Sequence, residues 1–295
     1  MKAHAIAAGA AVLLASVPAF AGPTTITYND FSNTTGLSLA SGCATVATPS
    51  STTPQGCAET VANGVLNLTP QAQFQAGAAL TSAALALGPT PSFSTSFNFD
   101  FATTPGVSSA NGFAFVLTSN PAGVGTSNGS LGLTTATSLA VEFSDYGNSH
   151  LNPAIGNGLY NSNLVAAIQN GNTVVAGNPT GSYGSPGGTT NCSTTGVNCL
   201  NNGTVWTANI SYANGLLNVV LVDGANVFNV ITNYAIALAG NVYAGFSGST
   251  GGAYQTAQIN SWTLTYNNVP EPMTAGLFGV GLAALGVIRS RRRAV

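Results

Sequence analysis

The stretch YANGLLNVVLVDGANVF, residues 212–228, determines the kind of fold that this chain can adopt. It is rich in Val, which favours strands. It also contains Asn-Gly at 214–215 and Asp-Gly at 223–224, the dipeptides typical of two-residue hairpin turns. The stretch therefore predicts consecutive antiparallel strands joined by tight turns.

Similar short strands recur on both sides of this stretch, each bounded by Gly, Asn or Pro. They are TSFNFDF (95–101), GFAFVLT (112–118), SLAVEFS (138–144), VWTANISY (205–212), VYAGFSG (242–248) and INSWTLTY (259–266). The segments 43–57 and 172–204 are rich in Gly, Ser, Thr and Pro and are predicted loops. Residues 78–88 (AALTSAALALG) are the one plausible helix, with a loop beside a strand as the alternative. The pattern predicts one all-β domain of two antiparallel sheets over residues 22–268.

The two ends of the chain do not belong to this pattern. Residues 1–21 combine Lys2, a short apolar run and small residues at Ala19 and Ala21, which predicts a secretory signal peptide. Residues 269–295 contain Pro270, Glu271 and Pro272, then an apolar stretch and four arginines. By composition this tail is a membrane anchor with a cytoplasmic basic end.

The order of these parts in the tail resembles the PEP-CTERM sorting signals of Gram-negative bacteria. That resemblance implies a chain held transiently in the inner membrane, cut near the triplet by an exosortase, and released to the cell surface or extracellular matrix. The alternative is a tail that is not cut and stays as an anchor.

Charge is almost absent between the two ends. All five Lys and Arg residues lie in residues 1–21 and 269–295, whereas Glu271 is the only one of the seven acids that lies there. A body without cations cannot neutralise phosphates, which excludes nucleic-acid binding of that kind. Its Asn, Thr and Ser suit contact with a neutral polysaccharide, and they equally suit a low-charge matrix protein.

The four cysteines fit an oxidising compartment. Four cysteines allow three pairings, and we favour Cys43–Cys57 with Cys192–Cys199, because each pair closes a short loop rich in turn formers. Neither pair has the His or second tight Cys pair that a zinc site requires.

The chemically conspicuous stretch is LAVEFSDYGNSHLNP, residues 139–153. On a strand Glu142, Ser144 and Tyr146 share one face, and Asp145 points the other way. A glycosidase needs two carboxylates flanking one sugar bond, but the residue that shares the face of Glu142 is a serine. His150 has no evident nucleophile beside it. The pattern therefore disfavours catalysis.

Four segments in order resemble the L-type (legume-type) lectins over roughly residues 93–266. They are ANGFAFVL (110–117), SNGSLGL (127–133), LAVEFSDYGNSHLNP (139–153) and AGFSGSTGGAYQTAQINSWTLTY (244–266). The resemblance implies a concanavalin-like jelly-roll β-sandwich whose loops bind a saccharide beside a calcium and a transition metal. Many lectins of this kind form dimers, so a homodimer is also an expectation.

The resemblance carries the family's sugar site onto six residues of this chain. Asn111 stands where the family has a sugar-binding Asp, and Tyr146 where it has an aromatic that stacks on the sugar. Asn148 matches the Asn that contacts both sugar and calcium. The backbone amides of the family's two other loops match Gly129, Gly252 and Ala253.

The family's metal ligands are only partly kept. They fall on Glu142, Tyr146, Asn148 and Asn152, while the acid that bridges both metals is Ser144 and the metal-bound His is Asn157. Calcium prefers several carboxylate oxygens, so we expect weak Ca²⁺ binding at best and no certain cofactor. A Glu142 without its cation would be protonated, bonded to backbone, or more exposed than in the family.

The resulting hypothesis is an exported, non-catalytic, carbohydrate-binding protein of the bacterial cell surface or exopolysaccharide matrix. The first alternative is a structural matrix protein with a degenerate lectin site. The second is a glycoside hydrolase of the same fold, which lacks an evident second carboxylate.

Overall fold

The described residues of the chain form sixteen β-strands in two antiparallel sheets of eight strands each. The computed structural model describes residues 22–40, 59–60, 63–88, 90–103, 108–109, 111–119, 131–133, 137–145, 164–170, 172–177, 199–238 and 240–267. This arrangement confirms the predicted all-β fold of two antiparallel sheets. Within these ranges no helix is long and apolar enough to cross a membrane.

The first sheet contains both the first and the last of the described strands. Its strands are β1 (Pro23–Tyr28), β3 (Glu59–Thr60), β4 (Leu66–Asn67), β7 (Phe93–Ala102), β12 (Trp206–Ala213), β13 (Leu216–Asp223), β14 (Asn226–Ala235) and β16 (Thr256–Asn267). Their order is β14-β13-β12-β7-β16-β4-β3, and β1 also pairs with β16, with Pro23 opposite Asn267. Strand β16 thus bonds to β1, β4 and β7.

The second sheet contains the strand with Glu142. Its strands are β2 (Leu37–Ala40), β5 (Ala76–Thr81), β6 (Leu85–Ala86), β8 (Gly112–Thr118), β9 (Thr137–Ser144), β10 (Leu164–Gln169), β11 (Asn172–Gly177) and β15 (Asn241–Ser249). Their order is β11-β10-β9-β8-β15-β5-β2, with β6 paired to β15. The predicted loop at 172–204 therefore begins with a strand, because residues 172–177 pair with β10.

The core between the sheets is rich in phenylalanine. Alternate residues of β7 turn inward, as a strand with one buried face requires. Phe97 meets Phe246 with ring centroids 5.0 Å apart, and Phe99 meets Phe113 at 5.0 Å, both edge to face. Each such pair contributes roughly 0.5–1.5 kcal/mol beyond the burial of its area. These rings hold the two sheets together.

Both predicted hairpins are present. Asn214 and Gly215 have φ of 53° and 79° between β12 and β13, and two positive φ values are what a type I′ turn requires. The next turn lies one residue later than the Asp-Gly dipeptide suggests: Asp223 pairs with Asn226, so Gly224 and Ala225 form the loop. Only Gly224 has positive φ there, at 57°, as in turns with glycine first.

The interpretation of residues 78–88 as a helix or loop is wrong. They contain most of β5 and all of β6. Strand β5 lies between β2 and β15 and is buried at every residue, so it shows an unbroken apolar run without alternation. Periodicity alone cannot separate such a strand from a buried helix.

The chain ends and most of the cysteines lie outside the described residues. Cys199 is described, fully buried and disulfide-bonded. Its predicted partner Cys192 and the pair Cys43 and Cys57 lie outside, so both pairings stay predictions. The same holds for the signal peptide (1–21) and the sorting tail (269–295) with Pro270, Glu271 and Pro272. The described residues belong to one unit, residues 22–268.

Candidate functional site

Strand β9 presents two different faces at its end. Val141 and Phe143 belong to the main core between the sheets, whereas Ala140 belongs to a second cluster on the other side. Glu142 and Ser144 share the face of Ala140, because side chains two residues apart on a strand point the same way. The predicted orientation of this pair therefore fits the strand.

Ser144 connects β9 to the residue in front of β8. Its hydroxyl donates a hydrogen bond of 2.7 Å to the backbone carbonyl of Asn111, and the Asn111 amide donates to the carbonyl of Ser249 at 3.1 Å. The next residue, Gly112, has φ of 129°, and a Cβ there would lie 2.1 Å from the Phe143 carbonyl oxygen. Asn111 is thus fixed between β9 and β15 by contacts that a larger residue at 112 would destroy.

The Asn111 side chain is buried, with 1% of its surface exposed. Its Oδ1 has no hydrogen-bond partner among the described residues. A buried amide oxygen without a partner is costly, so it is a position where a ligand's hydroxyl group would be stabilising.

Glu142 lies on the same face and is also buried, at 1% exposure. Burial raises the pKa of its carboxyl from an ordinary 4.5 to about 8, and Oε1 has no hydrogen-bond partner in the described part of the chain. The side chain is therefore protonated at neutral pH. Of the alternatives expected for a Glu142 without a cation, greater exposure is wrong.

The loop after β15 lies next to Asn111. Thr250 fixes it: its amide donates to the Gln75 carbonyl at 2.8 Å and its hydroxyl to the Ala72 carbonyl at 2.6 Å. At its tip Gly252 is exposed and Ala253 half-buried. Neither of these two amides donates to a backbone carbonyl within the described ranges.

Asp145 follows Ser144 but belongs to a different environment. Its carboxyl is fully buried and lies with the side chains of Ser109, Asn201 and Gln255. Burial raises its pKa from 3.8 to about 7, although Ser109, Gln255, the residue's own backbone and Asn201 act in the opposite direction. Glu142 and Asp145 thus do not form a pair that could flank one bond.

The sequence pattern did not indicate Ser109, Asn201 or Gln255. They precede β8, β12 and β16 respectively, far from Asp145 along the chain. No local motif connects them, and only the pairing of the strands brings them together.

The structure brings Asn111, Gly252 and Ala253 to one end of the sandwich. The Asn111 amide reaches Ser249, just before this loop, and the Tyr254 amide donates to the Ser108 carbonyl at 3.1 Å. The predicted residues Gly129, Tyr146, Asn148 and Asn152 lie outside the described residues, as do His150 and Asn157. Their roles stay predictions.

The described residues do not fit the calcium and transition-metal pair that the resemblance implies. The hydroxyl of Ser144, at the position of the bridging acid, is already bonded to the Asn111 carbonyl, and Glu142 favours its protonated form. In the described part of the chain, no three His, Cys, Asp or Glu side chains converge on a point.

Comparison with known protein families gives one match to most of the chain. Residues 27–276 match the legume lectin domain. A curated relative, a probable L-type lectin-domain containing receptor kinase VII.2 of Arabidopsis thaliana, is 29% identical over 276 residues. That alignment covers 86% of this chain and 37% of the relative, so the chain spans little more than a third of its length.

Solved lectin structures share the fold. A lectin of Bauhinia forficata in complex with GalNAc superimposes with a TM-score of 0.60 at 21% identity, over 84% of this chain and 100% of the lectin. Lectin I-B4 of Griffonia simplicifolia, in a metal-free form, gives a TM-score of 0.61 at 23% identity, over 83% and 99%. These matches confirm the predicted jelly-roll sandwich.

Proposed function

The chain belongs to the legume lectin family, and from that premise we propose that it is a carbohydrate-binding protein whose site is formed by Asn111, Gly252 and Ala253. Members of the family bind carbohydrates and are not enzymes. The Bauhinia lectin binds GalNAc. We propose the same non-catalytic role here, since Glu142 and Asp145 occupy separate environments.

The observation that carries this proposal is the hydrogen bond from Ser144 to Asn111. Saccharide loops must be held in place before the ligand arrives, because ordering them on binding weakens affinity. Ser144 stands at the position of the acid that bridges the two metals in the family. Here its hydroxyl holds the Asn111 backbone directly. The unpaired Asn111 Oδ1 and the amides of Gly252 and Ala253 would then accept from and donate to sugar hydroxyls.

The proposed ligand is a neutral glycan, such as an exopolysaccharide. Residues 22–268 contain no Lys or Arg to attract acidic sugars. Asn111 is neutral, and hydrogen bonds to a charged group are about twice as strong as those between neutral groups. We therefore expect a monovalent Kd of high micromolar to millimolar, with avidity arising from clustering on a surface.

The proposed location is the bacterial cell surface or extracellular matrix. It rests on the predicted signal peptide at 1–21 and on the resemblance of 269–295 to sorting tails that an exosortase cuts. In this proposal the chain is held in the inner membrane only until the tail is cut. A homodimer remains an expectation of the family resemblance.

A structural matrix protein without sugar binding is the second candidate. It is favoured by the replacement of the bridging acid by Ser144, which removes the ion site that the family uses. A glycan-array screen of the purified protein separates the two candidates. The lectin proposal requires binding to at least one neutral glycan, and a uniformly blank array supports the structural role.

Titration of a glycan found in that screen locates the site. Asn148→Ala and Gly252→Pro should each weaken binding at least tenfold. The first substitution removes the predicted side-chain amide contact, and the second removes a backbone N–H donor of the loop after β15. Asn229→Ala, an exposed asparagine on β14, is the matched control and should bind as the parent does. Unchanged binding in both site variants would place the site elsewhere.

A further inference from the structure

A cavity of about 740 Å³ opens at the end of the sandwich opposite the proposed sugar site. Strand β16 ends at Asn267, which lines this cavity, whereas Gly252 and Ala253 precede the start of the same strand. The rest of the wall comes from residues 90–92 before β7, the β12–β13 turn, and residues 235–238 at the end of β14. Pockets that take small molecules typically measure about 300–1,000 Å³, so this cavity is large enough for a ligand.

Hydrogen bonds fix the walls of this cavity. The Tyr212 hydroxyl donates to the Ile236 carbonyl at 2.9 Å, and the Ile236 amide donates to the Gly215 carbonyl, also at 2.9 Å. Asn267 donates from its backbone to the Ser92 carbonyl at 3.1 Å and from Nδ2 to the Ser92 hydroxyl at 2.6 Å. The cavity is therefore formed before a ligand arrives, which lowers the ordering cost of binding.

The lining combines aliphatic and uncharged polar groups. Ile236 and Leu238 belong to the core between the sheets, and Pro91 adds a third apolar side chain. The polar side chains are hydroxyls and amides, which can both donate and accept hydrogen bonds; they are Thr90, Ser92, Asn214 and Asn267. No described residue of the lining is charged. A neutral saccharide presents the matching combination, because its hydroxyl groups surround apolar C–H faces.

We propose that this cavity is a second saccharide site, for neutral glycans of the same class as the first, and that a single chain therefore cross-links polysaccharide. This inference rests on the proposed function, because it assigns the cavity a ligand of the class proposed for the first site. Acidic sugars are disfavoured here as well, since no cation lines the described part of the cavity. Cross-linking by this route does not require a homodimer, because both sites belong to one chain.

The second site should be the weaker of the two. Tyr212, the aromatic residue of its described lining, is only 3% exposed and offers no ring face on which a sugar could stack. Among the described residues, the buried side-chain atoms without a hydrogen-bond partner all lie outside this lining, whereas Asn111 Oδ1 provides one in the first site. Titration with a free glycan therefore reports the first site, and the second site contributes through avidity on a polymer.

The separation of the two sites suits cross-linking. Strand β16 has twelve residues. At about 3.3 Å per residue, its two ends are roughly 35–40 Å apart. Because the sites lie at opposite ends of this strand, one molecule can hold two polysaccharide chains at once. The protein would then connect neighbouring chains of a matrix.

Precipitation of a glycan-bearing polymer tests the proposal. The probe is polyacrylamide that carries many copies of a glycan found in the array screen, and we expect the parent protein to precipitate it. Ala237→Trp fills the cavity from an exposed position of its lining. This variant should precipitate the polymer about tenfold more slowly, because each molecule then holds one chain only. Its calorimetric Kd for the free glycan should equal that of the parent, whereas Gly252→Pro should lose both activities.

Ala225→Trp is the matched control for the bulky substitution. Ala225 is exposed in the turn after β13 and lies outside the lining, so this variant should precipitate the polymer as the parent does. Sedimentation of every variant shows whether its oligomeric state has changed. If Ala237→Trp does not fold, Thr90→Trp, at another exposed position of the lining, decides.

Four results would overturn the inference. They are precipitation that survives in a folded Ala237→Trp, no precipitation by a parent that binds the free glycan, an equal loss of free-glycan affinity in Ala237→Trp, and a loss of precipitation that accompanies dissociation of a dimer. Each of them leaves the first site in place, because the parent still binds the free glycan. A blank glycan array instead contradicts the proposed function itself.

Discussion

The side-chain hydroxyl of Ser144 lies 2.7 Å from the backbone carbonyl oxygen of Asn111 and donates a hydrogen bond to it in the buried end of the sandwich. One residue is the last of β9, and the other directly precedes β8. The bond therefore connects the end of β9 to the start of the neighbouring strand β8. Asn111 is also one of the residues of the proposed saccharide site.

Replacing Ser144 by Ala should lower both stability and sugar affinity. The substitution leaves the buried Asn111 carbonyl without this partner, which costs about 1–3 kcal/mol in the free energy of unfolding. It also releases the backbone that positions Asn111, so affinity for an array-identified glycan should decrease severalfold. Denaturant unfolding and calorimetric titration measure the two effects.

Tyr212→Phe is the matched control for that prediction. The Tyr212 hydroxyl donates to the Ile236 carbonyl at 2.9 Å and is also buried, but it lies at the opposite end of the strands. Its loss should reduce stability by a similar amount without changing the Kd for the glycan. Equal loss of affinity in both variants would mean that Ser144 acts only through global stability.

Stability should fall as pH rises from about 4.5 to 8. The folded pKa of Glu142 is raised from 4.5 to about 8, and that of Asp145 from 3.8 to about 7. Above the ordinary pKa values the unfolded chain releases these protons while the folded chain retains them. The unfolded state is therefore favoured increasingly as pH rises through this window.

Urea unfolding at pH 5 and pH 8 measures this dependence. We expect several kcal/mol less stability at pH 8. Glu142→Gln should remove a large part of the difference and raise stability at pH 8. Stability that increases from pH 5 to pH 8 would show that these carboxyls are ionised and paired in the folded protein.

The disulfide of Cys199 should close a short local loop with Cys192, and Cys43 should pair with Cys57. Non-reducing peptide mapping checks both pairings. Cys199→Ser should cost about 2–4 kcal/mol, because the unfolded chain regains freedom that the crosslink removes. A crosslink from Cys199 to Cys43 or Cys57 would contradict the assignment.

Protein recovered outside the cell should lack both ends of the chain. Mass spectrometry should show a start near Gly22 and the loss of the four terminal arginines, which follows from the Ala19–Ala21 cleavage signal and the Pro-Glu-Pro tail. Extracellular protein that retains Arg289–Arg293 would show that this tail is not a processed sorting signal.

The strands were predictable where apolar and polar residues alternate along the sequence, and ambiguous where they do not. Strand β7 turns alternate residues inward, so its pattern is visible in the sequence. Strand β5 is buried at every residue and carries no such signal. The Gly224 turn lies one residue away from its dipeptide because strand pairing, and not the dipeptide alone, decides which residues leave the ladder.

The candidate site was only partly predictable for a related reason. The resemblance to lectins singled out Asn111, Gly252 and Ala253, which the fold does place at one end. Sequence also indicated that Glu142 and Asp145 point apart. It could not assign Asp145 its neighbours, because Asn201 and Gln255 reach it only after both sheets have formed.

The pairing of β16 with β1, β4 and β7 sets a condition on the biogenesis of the protein. The last of the described strands lies inside the first sheet, so that sheet cannot close until residues 256–267 are present. Contacts between such distant segments make folding slow, on the order of milliseconds to seconds. Chains that are still being translated consequently remain incomplete, with the edge of this sheet exposed to aggregation and proteolysis.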